Sequence, residues 1–136
     1  MFANAQTLIN AYLRAETGIR CVTEVPSTRP TRFIRTVRTG GFLRDPVTDV
    51  ARLTVECWND EGTPPDVSKK VAAELDAQSA RAALLRLRGV ILPDGTKVHV
   101  VTEVAGPSDS PDPDTKIPRY VFTHEVHLRG SYRKAI

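Results

Sequence analysis

Alternation of polar and apolar residues is clearest near the end of the chain, in PRYVFTHEVHLRG over residues 118–130. Side chains of a strand point to opposite faces in turn, so even and odd positions lie on different faces. The even positions are mostly apolar: Tyr120, Phe122, His124, Val126 and Leu128. The odd positions are mostly polar, which predicts a strand of a half-buried antiparallel sheet.

Two further segments alternate in the same way. In Val47–Trp58 the odd positions Leu53, Val55 and Cys57 are apolar. Lys97–Val104 places its valines on one face and His99 and Glu103 on the other. Weaker patterns predict short strands over 19–25 and 31–38, and turns at Gly40-Gly41 and Asp45-Pro46.

Two segments have helical spacing. Asn4 is suited to cap a helix that reaches about Glu16, and Gly18 is suited to end it. Asp66 is suited to cap a second helix that reaches about Arg88. We predict a buried stripe on each helix, formed by Ala5, Leu8, Ile9, Tyr12 and Leu13 on the first and by Val67, Val71, Leu75, Ala82 and Leu85 on the second.

The order of helix, strands, helix, strands predicts an α+β fold with a single antiparallel β-sheet and two helices packed on one face. At 136 residues we expect one domain, residues 1–136, with Ser131–Ile136 as a short basic tail that is flexible.

Composition limits the compartment. No run of 18 apolar residues is present, and the N-terminus lacks the pattern of a signal peptide, so we expect a protein of the cytoplasm with no membrane contact. Cys21 and Cys57 are then expected to be free thiols, with Cys57 in the core. The alternative of a disulfide between them stays open.

The net charge of +3 is unevenly distributed, because residues 1–58 hold eight arginines against five acidic residues. The surplus concentrates in Arg29, Arg32, Arg35, Arg38 and Arg44. Apolar and arginine side chains occupy both faces of the segment 31–38, which fits an edge strand that meets another protein and equally fits a solvated edge strand.

The loop 106–118 carries Asp109, Asp112 and Asp114 among prolines. One hypothesis is that the arginine segment and this loop are complementary between neighbouring copies of the chain, in a contact that closes into a ring.

Catalytic signals are weak. None of the common nucleophile, phosphate-binding or zinc-protease motifs is present. His99, His127, Glu103 and Glu125 are expected to share the polar sheet face, where they form either cross-strand pairs or a metal or acid–base site. The three aspartates lack EF-hand spacing, so they are better explained as turn residues than as calcium ligands. We therefore expect no catalytic residues, no metal and no cofactor.

Nucleic-acid binding by the sheet is disfavoured. A platform for single strands displays aromatic side chains on its open face, but Tyr120 and Phe122 lie on the apolar face. Contact of the arginines with phosphate stays open as an alternative.

Several segments together resemble a known family. They are AYLRAETG, VPSTRPTRFIRTVRTGG, VTDVARLTVECW and VVTEVAGPSDSPDPDTKIPRYVFTHEVHLRG, in that order. Because these segments occur in this order, the chain resembles the tail terminator proteins of long, non-contractile-tailed bacteriophages, of the type found in phages of actinobacteria. The arginine-rich segment combined with the proline- and aspartate-rich loop is the most specific part.

The resemblance implies a small α+β structural protein of the virion, without enzymatic activity. Such proteins are assembled in the bacterial cytoplasm as a hexameric ring at the head-proximal end of the tail tube. The implied partners are further copies of the chain, the major tail tube protein and a head-completion or neck protein, and genomic DNA passes through the lumen without specific binding.

The family supplies no motif with assigned residues. Our interface residues therefore rest on charge and strand position: Arg32, Arg35, Arg38, Arg44, Asp109, Asp112 and Asp114. We expect the arginines to face protein and not the channel, because strong phosphate binding would stall DNA. Alternatives are another neck, head-closure or minor tail protein, a basic nucleic-acid-binding module, and a small enzyme that uses His99, His127 and Glu125.

Overall fold

A computed structural model describes residues 2–62 and 67–130 of the chain. The elements are α1 (Ala5–Thr17), β1 (Cys21–Val22), β2 (Arg32–Asp45), β3 (Thr48–Asn59), α2 (Lys69–Leu85), β4 (Lys97–Asp109) and β5 (Arg119–Arg129). None of the helices in these residues is long and apolar enough to cross a membrane.

The strands form one sheet in the order β1-β2-β3-β5-β4. Neighbouring strands are antiparallel except β1, which pairs in parallel with β2 through two residues. Side chains of α1, α2 and one sheet face form a single hydrophobic core. The predicted α+β class is confirmed, with β1 as a parallel exception to the antiparallel sheet.

The two central strands follow the predicted alternation. Leu53 and Val55 of β3 and Val126 of β5 are fully buried on the side of the helices. The antiparallel register places Val55 beside Phe122 and Leu53 beside His124, so matching apolar positions meet across the two strands. The other side of the sheet, which we call the open face, carries the polar positions.

Helix α1 is built as its sequence predicts. The Asn4 side chain accepts a hydrogen bond from the Thr7 backbone N–H at 3.1 Å. Gly18 ends the helix in the left-handed conformation, with φ of 69°. Ile9 and Leu13 are fully buried, and the Tyr12 hydroxyl donates to the Ala83 carbonyl at 2.7 Å, which joins the two helices.

Helix α2 differs from its prediction. It begins at Lys69 with Ser68 as its N-cap, and Asp66 lies outside the described residues. The predicted buried stripe is wrong, since Val71, Leu75 and Leu85 are 42%, 45% and 47% exposed. The buried face consists of Ala72, Ala73, Asp76, Ala77, Ala80, Ala83 and Leu84. Both sets have helical spacing, and the small alanines let the helix lie close to the sheet, so residue size was a misleading guide.

Strand β2 is longer than predicted and passes through Gly40-Gly41, where a turn was expected. A Cβ atom on Gly41 would lie 1.9 Å from the Val50 carbonyl oxygen, and the Gly41 φ is 114°. The glycine therefore permits close approach of β3 to β2 instead of a turn.

Strand β4 is interrupted by a β-bulge between Val98 and Val100. The extra residue shifts the alternation, so that Val101 pairs with Val126 and Glu103 pairs with His124. Glu103 consequently lies on the helix side of the sheet, and its predicted place beside His99 is wrong. The strand also continues through Gly106 to Asp109, where the sequence predicted an irregular loop.

Candidate interface of the arginine segment and the acidic loop

The arginine segment, which we define as residues 29–38, places an arginine at every third position. A step of three residues along a strand moves a side chain to the opposite face, which explains why arginines appear on both faces. Each guanidinium reaches a carboxylate whose side chain is at most 10% exposed. The pairs are Arg29–Asp112 at 2.6 Å, Arg32–Asp76 at 2.7 Å, Arg35–Glu56 at 2.7 Å and Arg38–Asp49 at 2.7 Å.

The ion pair between Arg32 and Asp76 lies on the helix side of the sheet and joins three elements. Arg32 donates to both oxygens of Asp76, at 3.0 Å from Nε and 2.7 Å from Nη2. Asn59 Nδ2 donates to the same carboxylate at 2.9 Å, so α2 is tied to β2 and β3. The hydrogen bonds to Asp76 raise the pKa of Arg32, although partial burial opposes this. A bidentate hydrogen-bonded contact with a buried carboxylate holds the arginine side chain in place more firmly than a salt bridge on the surface does.

Asp112 anchors the acidic loop, which we define as residues 110–118. Its carboxylate is 5% exposed and accepts four hydrogen bonds. Oδ2 accepts from Arg29 at 2.6 Å and from Trp58 Nε1 at 3.1 Å, and Oδ1 accepts from the backbone N–H groups of Asp114 at 3.0 Å and Thr115 at 3.3 Å. Burial raises the pKa of Asp112, but the hydrogen bonds, that of Arg29 first, outweigh it and hold the pKa well below its usual value.

A small second core lies under this loop on the open face. Trp58 and Phe33 are 2% and 1% exposed and stack with ring centroids 4.5 Å apart. The Arg119 guanidinium lies 5.4 Å from the Trp58 ring and donates to Glu56 at 2.9 Å and to the Ser110 carbonyl at 2.8 Å. The aromatic side chains of this face are therefore covered and not displayed for stacking with bases.

The predicted complementarity between the arginine segment and the acidic loop exists within one chain, through Arg29 and Asp112. Arg32, Arg35 and Arg38 are engaged by Asp76, Glu56 and Asp49.

The other interface candidates lie nearer to solvent. Arg44 is 3.2 Å from Asp45 in a pair that is more than a third exposed, and Asp109 is 3.1 Å from exposed Lys70. Asp114 is exposed. These three side chains are accessible to a neighbour. The paired arginines are also partly accessible, with side-chain exposures of 30%, 32% and 35% for Arg32, Arg35 and Arg38.

Of the predicted histidine cluster, Glu103 lies on the other face of the sheet, whereas His127 lies near enough to Glu125 and His99 for their charges to act on its pKa. Glu103 accepts two hydrogen bonds from Arg81 at 2.7 and 2.8 Å and lies 3.2 Å from Nε2 of buried His124. On the open face of the sheet, Nδ1 of His127 lies 3.4 Å from Nη1 of Arg44. Burial lowers the pKa of His127, and Arg44 lowers it further. Among residues 2–62 and 67–130, no three His, Cys, Asp or Glu side chains are placed to hold a metal ion.

Both cysteines are free thiols, and Cys57 is buried as predicted. Cys21 and Cys57 pair with the same residue, Ile34, from opposite sides. Two strand spacings separate their Cα atoms by about 9.5 Å. A disulfide needs Cα atoms within about 7 Å, so the sheet would have to rearrange before the two could bond.

Two exposed apolar surfaces escaped the sequence analysis. The first is the outer part of β2, where Phe42 and Leu43 are 56% and 57% exposed. The second is the outward stripe of α2. In the sequence, Gly40-Gly41 was interpreted as a turn, although these residues belong to β2. Leu75 and Leu85 were interpreted as core residues, although they are exposed.

Comparison with known proteins adds no relative. No protein-family model matches the chain, and no curated protein matches its sequence.

Proposed function

We propose that this chain is a structural protein of a bacteriophage tail. It forms a hexameric ring at the head-proximal end of the tail tube, stops tube polymerisation and offers the surface that joins the neck. The ordered resemblance from AYLRAETG to PRYVFTHEVHLRG specifies this role. The fold is the α+β arrangement that the resemblance implies, which supports the proposal.

The observation that carries an assembly role is the open edge of the sheet. Strand β1 pairs with β2 only at Ile34 and Arg35. Beyond them, the segment Gly40–Asp45 pairs with β3 on its inner side, and no described strand lies on its outer side. Natural proteins usually cover or charge such an edge, whereas this one exposes Phe42 and Leu43. An edge of this kind is suited to contact with another protein, and we propose that it takes part in the ring contact.

The charge distribution supports a protein partner over a DNA partner. The guanidinium groups of Arg29, Arg32, Arg35 and Arg38 are each paired with a carboxylate of the same chain. Phosphate would have to displace a well-placed acid at each position, which weakens the basic segment as a nucleic-acid surface. This pairing agrees with the expectation that the arginines face protein and not the channel.

Electron microscopy of particles assembled without this protein tests the role. We expect overlong tail tubes that are separate from filled heads. Tubes of normal length that fail to attach would assign the protein to head closure or the neck instead. Normal infectious particles would contradict an assembly role, and salt-dependent binding to duplex DNA would then be the next test.

A matched pair of variants tests the edge. Phe42→Lys places a charge on the exposed edge, and Leu75→Gln makes a polar change at an exposed leucine of α2. When each variant is supplied to a phage that lacks the gene, we expect Phe42→Lys to fail to restore infectious particles and Leu75→Gln to restore them. Equal restoration by both, with both folded by circular dichroism, would remove the β2 edge from the ring contact.

A further inference from the structure

Helix α2 buries small side chains and exposes larger apolar ones, which is the reverse of an ordinary surface helix. Its alanines face the sheet, and its larger apolar side chains face solvent: Val71, Leu75 and Leu85 are 42%, 45% and 47% exposed. A single exposed leucine on a surface is common, but several apolar side chains aligned along one face of a helix mark an interaction site.

The spacing of this outward stripe is that of a coiled-coil seam. Steps of four, three, four and three residues connect Val71, Leu75, Gln78, Ala82 and Leu85. Alternating steps of this kind are the d and a positions of a heptad, with the one polar residue, Gln78, at the centre. A seam of period 3.5 is complementary to another helix, because knobs of one helix fit the holes of the other.

The charges beside the seam select an orientation for a second copy of the same helix. Glu74 and Arg81 each precede an a position and so occupy g positions. In an antiparallel pair, g positions face each other, and Glu74 of each copy meets Arg81 of the other. In a parallel pair, g faces e of the next heptad, which would bring Arg81 against Arg86 of the other copy. Opposite charges thus favour the antiparallel arrangement.

We propose that two copies of this chain associate through the outward faces of α2, antiparallel and related by a two-fold axis. Arg81 keeps its pair with Glu103 in this arrangement, because its side chain is still 33% exposed beyond that contact. A two-fold contact closes with two copies, so it cannot propagate into a ring. It is a contact of the free protein, distinct from the β2 edge and independent of the proposed role in the tail.

The contact is small. Helix α2 has 17 residues, and the seam covers about two heptads of it. Interfaces of this size fall below about 1,200 Å², the range of weak and transient complexes. The dimer therefore forms in a concentration-dependent way, and its presence has to be measured over a series of concentrations.

Sedimentation equilibrium of the purified chain, from about 5 µM to about 500 µM, tests the proposal. We expect the wild-type protein to shift from monomer to dimer across this range. Leu75→Gln should raise the dissociation constant at least about tenfold, since it removes the central apolar residue from the seam. Ile91→Gln makes the same kind of change at a residue that is 67% exposed outside the helix, and it should leave the constant unchanged.

Glu74→Arg tests the orientation. It places two arginines together in the antiparallel pair and should weaken the dimer, whereas a parallel pair places position 74 opposite Ser79 and would be insensitive. A wild-type protein that is monomeric at the highest concentration overturns the proposal. Equal effects of Leu75→Gln and Ile91→Gln, or a dimer indifferent to Glu74→Arg, overturn it as well. None of these outcomes bears on whether tail tubes grow too long without the protein.

Discussion

Asp112 should stabilise the fold more than any other residue of the acidic loop. Its replacement by alanine removes the acceptor of the Trp58 indole N–H, and the Trp58 side chain is buried. An unsatisfied buried donor costs about 1–3 kcal/mol, and the two lost backbone hydrogen bonds add about 1 kcal/mol each. Arg29 is partly exposed, so water replaces most of its lost contact. We therefore expect Asp112→Ala to lower the free energy of unfolding by at least about 3 kcal/mol.

The assay is urea unfolding followed by circular dichroism and by fluorescence of Trp58, the one tryptophan of the chain. A loss of this size lowers the urea midpoint by about 1.5 M. The control is Asp114→Ala, because Asp114 lies in the same loop but is exposed, and its effect should stay within about 0.5 kcal/mol.

Asp112→Asn separates the hydrogen bonds that Asp112 accepts from the backbone from those that it accepts from side chains. Its amide oxygen can still accept from the backbone N–H groups of Asp114 and Thr115, while its NH2 group faces the donors of Arg29 and Trp58. We expect a loss that is a large part of the alanine value. The reasoning is refuted if Asp112→Ala and Asp114→Ala unfold at the same urea concentration, since the anchor would then contribute nothing.

Three further predictions concern acid, packing and thiols. Because the pKa of folded Asp112 lies below its unfolded value of about 3.9, its stabilisation is complete above that pH and is lost as pH falls below it. The difference in unfolding free energy between wild type and Asp112→Asn should therefore shrink from pH 7 to about pH 3. Ala77→Leu overfills the contact of α2 with the sheet and should lower the free energy of unfolding in urea by about 1–3 kcal/mol. Leu75→Ala, on the exposed face of the same helix, should lower it by much less. Burial raises the pKa of Cys21 to about 11 and that of Cys57 well above its usual value, so at pH 8 both thiols should react with a thiol reagent far more slowly in the folded protein than in urea, and equal rates would contradict their burial.

The sequence was sufficient where one pattern had one interpretation. Strand β5 has strict alternation, and its even positions Phe122, His124, Val126 and Leu128 are buried, while Tyr120 is half-buried. Asn4 and Gly18 mark the ends of α1 because capping is local chemistry. These features depend on neighbours within a few residues, so they can be derived without the fold.

The sequence failed where the outcome depends on distant residues. On α2, two sets of residues had helical spacing, and the preference for large side chains in the core chose the wrong one. In β4, the bulge at His99 depends on pairing with β5 and reverses the faces that follow.

The arginine segment was ambiguous for a related reason. Its residues appeared on both faces, which suggested either a partner or a solvated edge. Four buried carboxylates, two from β3, one from α2 and one from the acidic loop, explain the pattern, and these partners are 11 to 83 residues away in sequence. The interface role stays a prediction for all seven residues: Arg32, Arg35, Arg38, Arg44, Asp109, Asp112 and Asp114.

The central claim is that this protein ends the growth of a tail tube. The most direct measurement adds the purified chain to polymerising tail tube protein and records the length distribution of the tubes by electron microscopy. We predict that tubes stop growing and carry a ring at one end, and that the tubes shorten as more protein is added. Tubes that keep the same lengths and carry no ring at any ratio of the two proteins would contradict the claim.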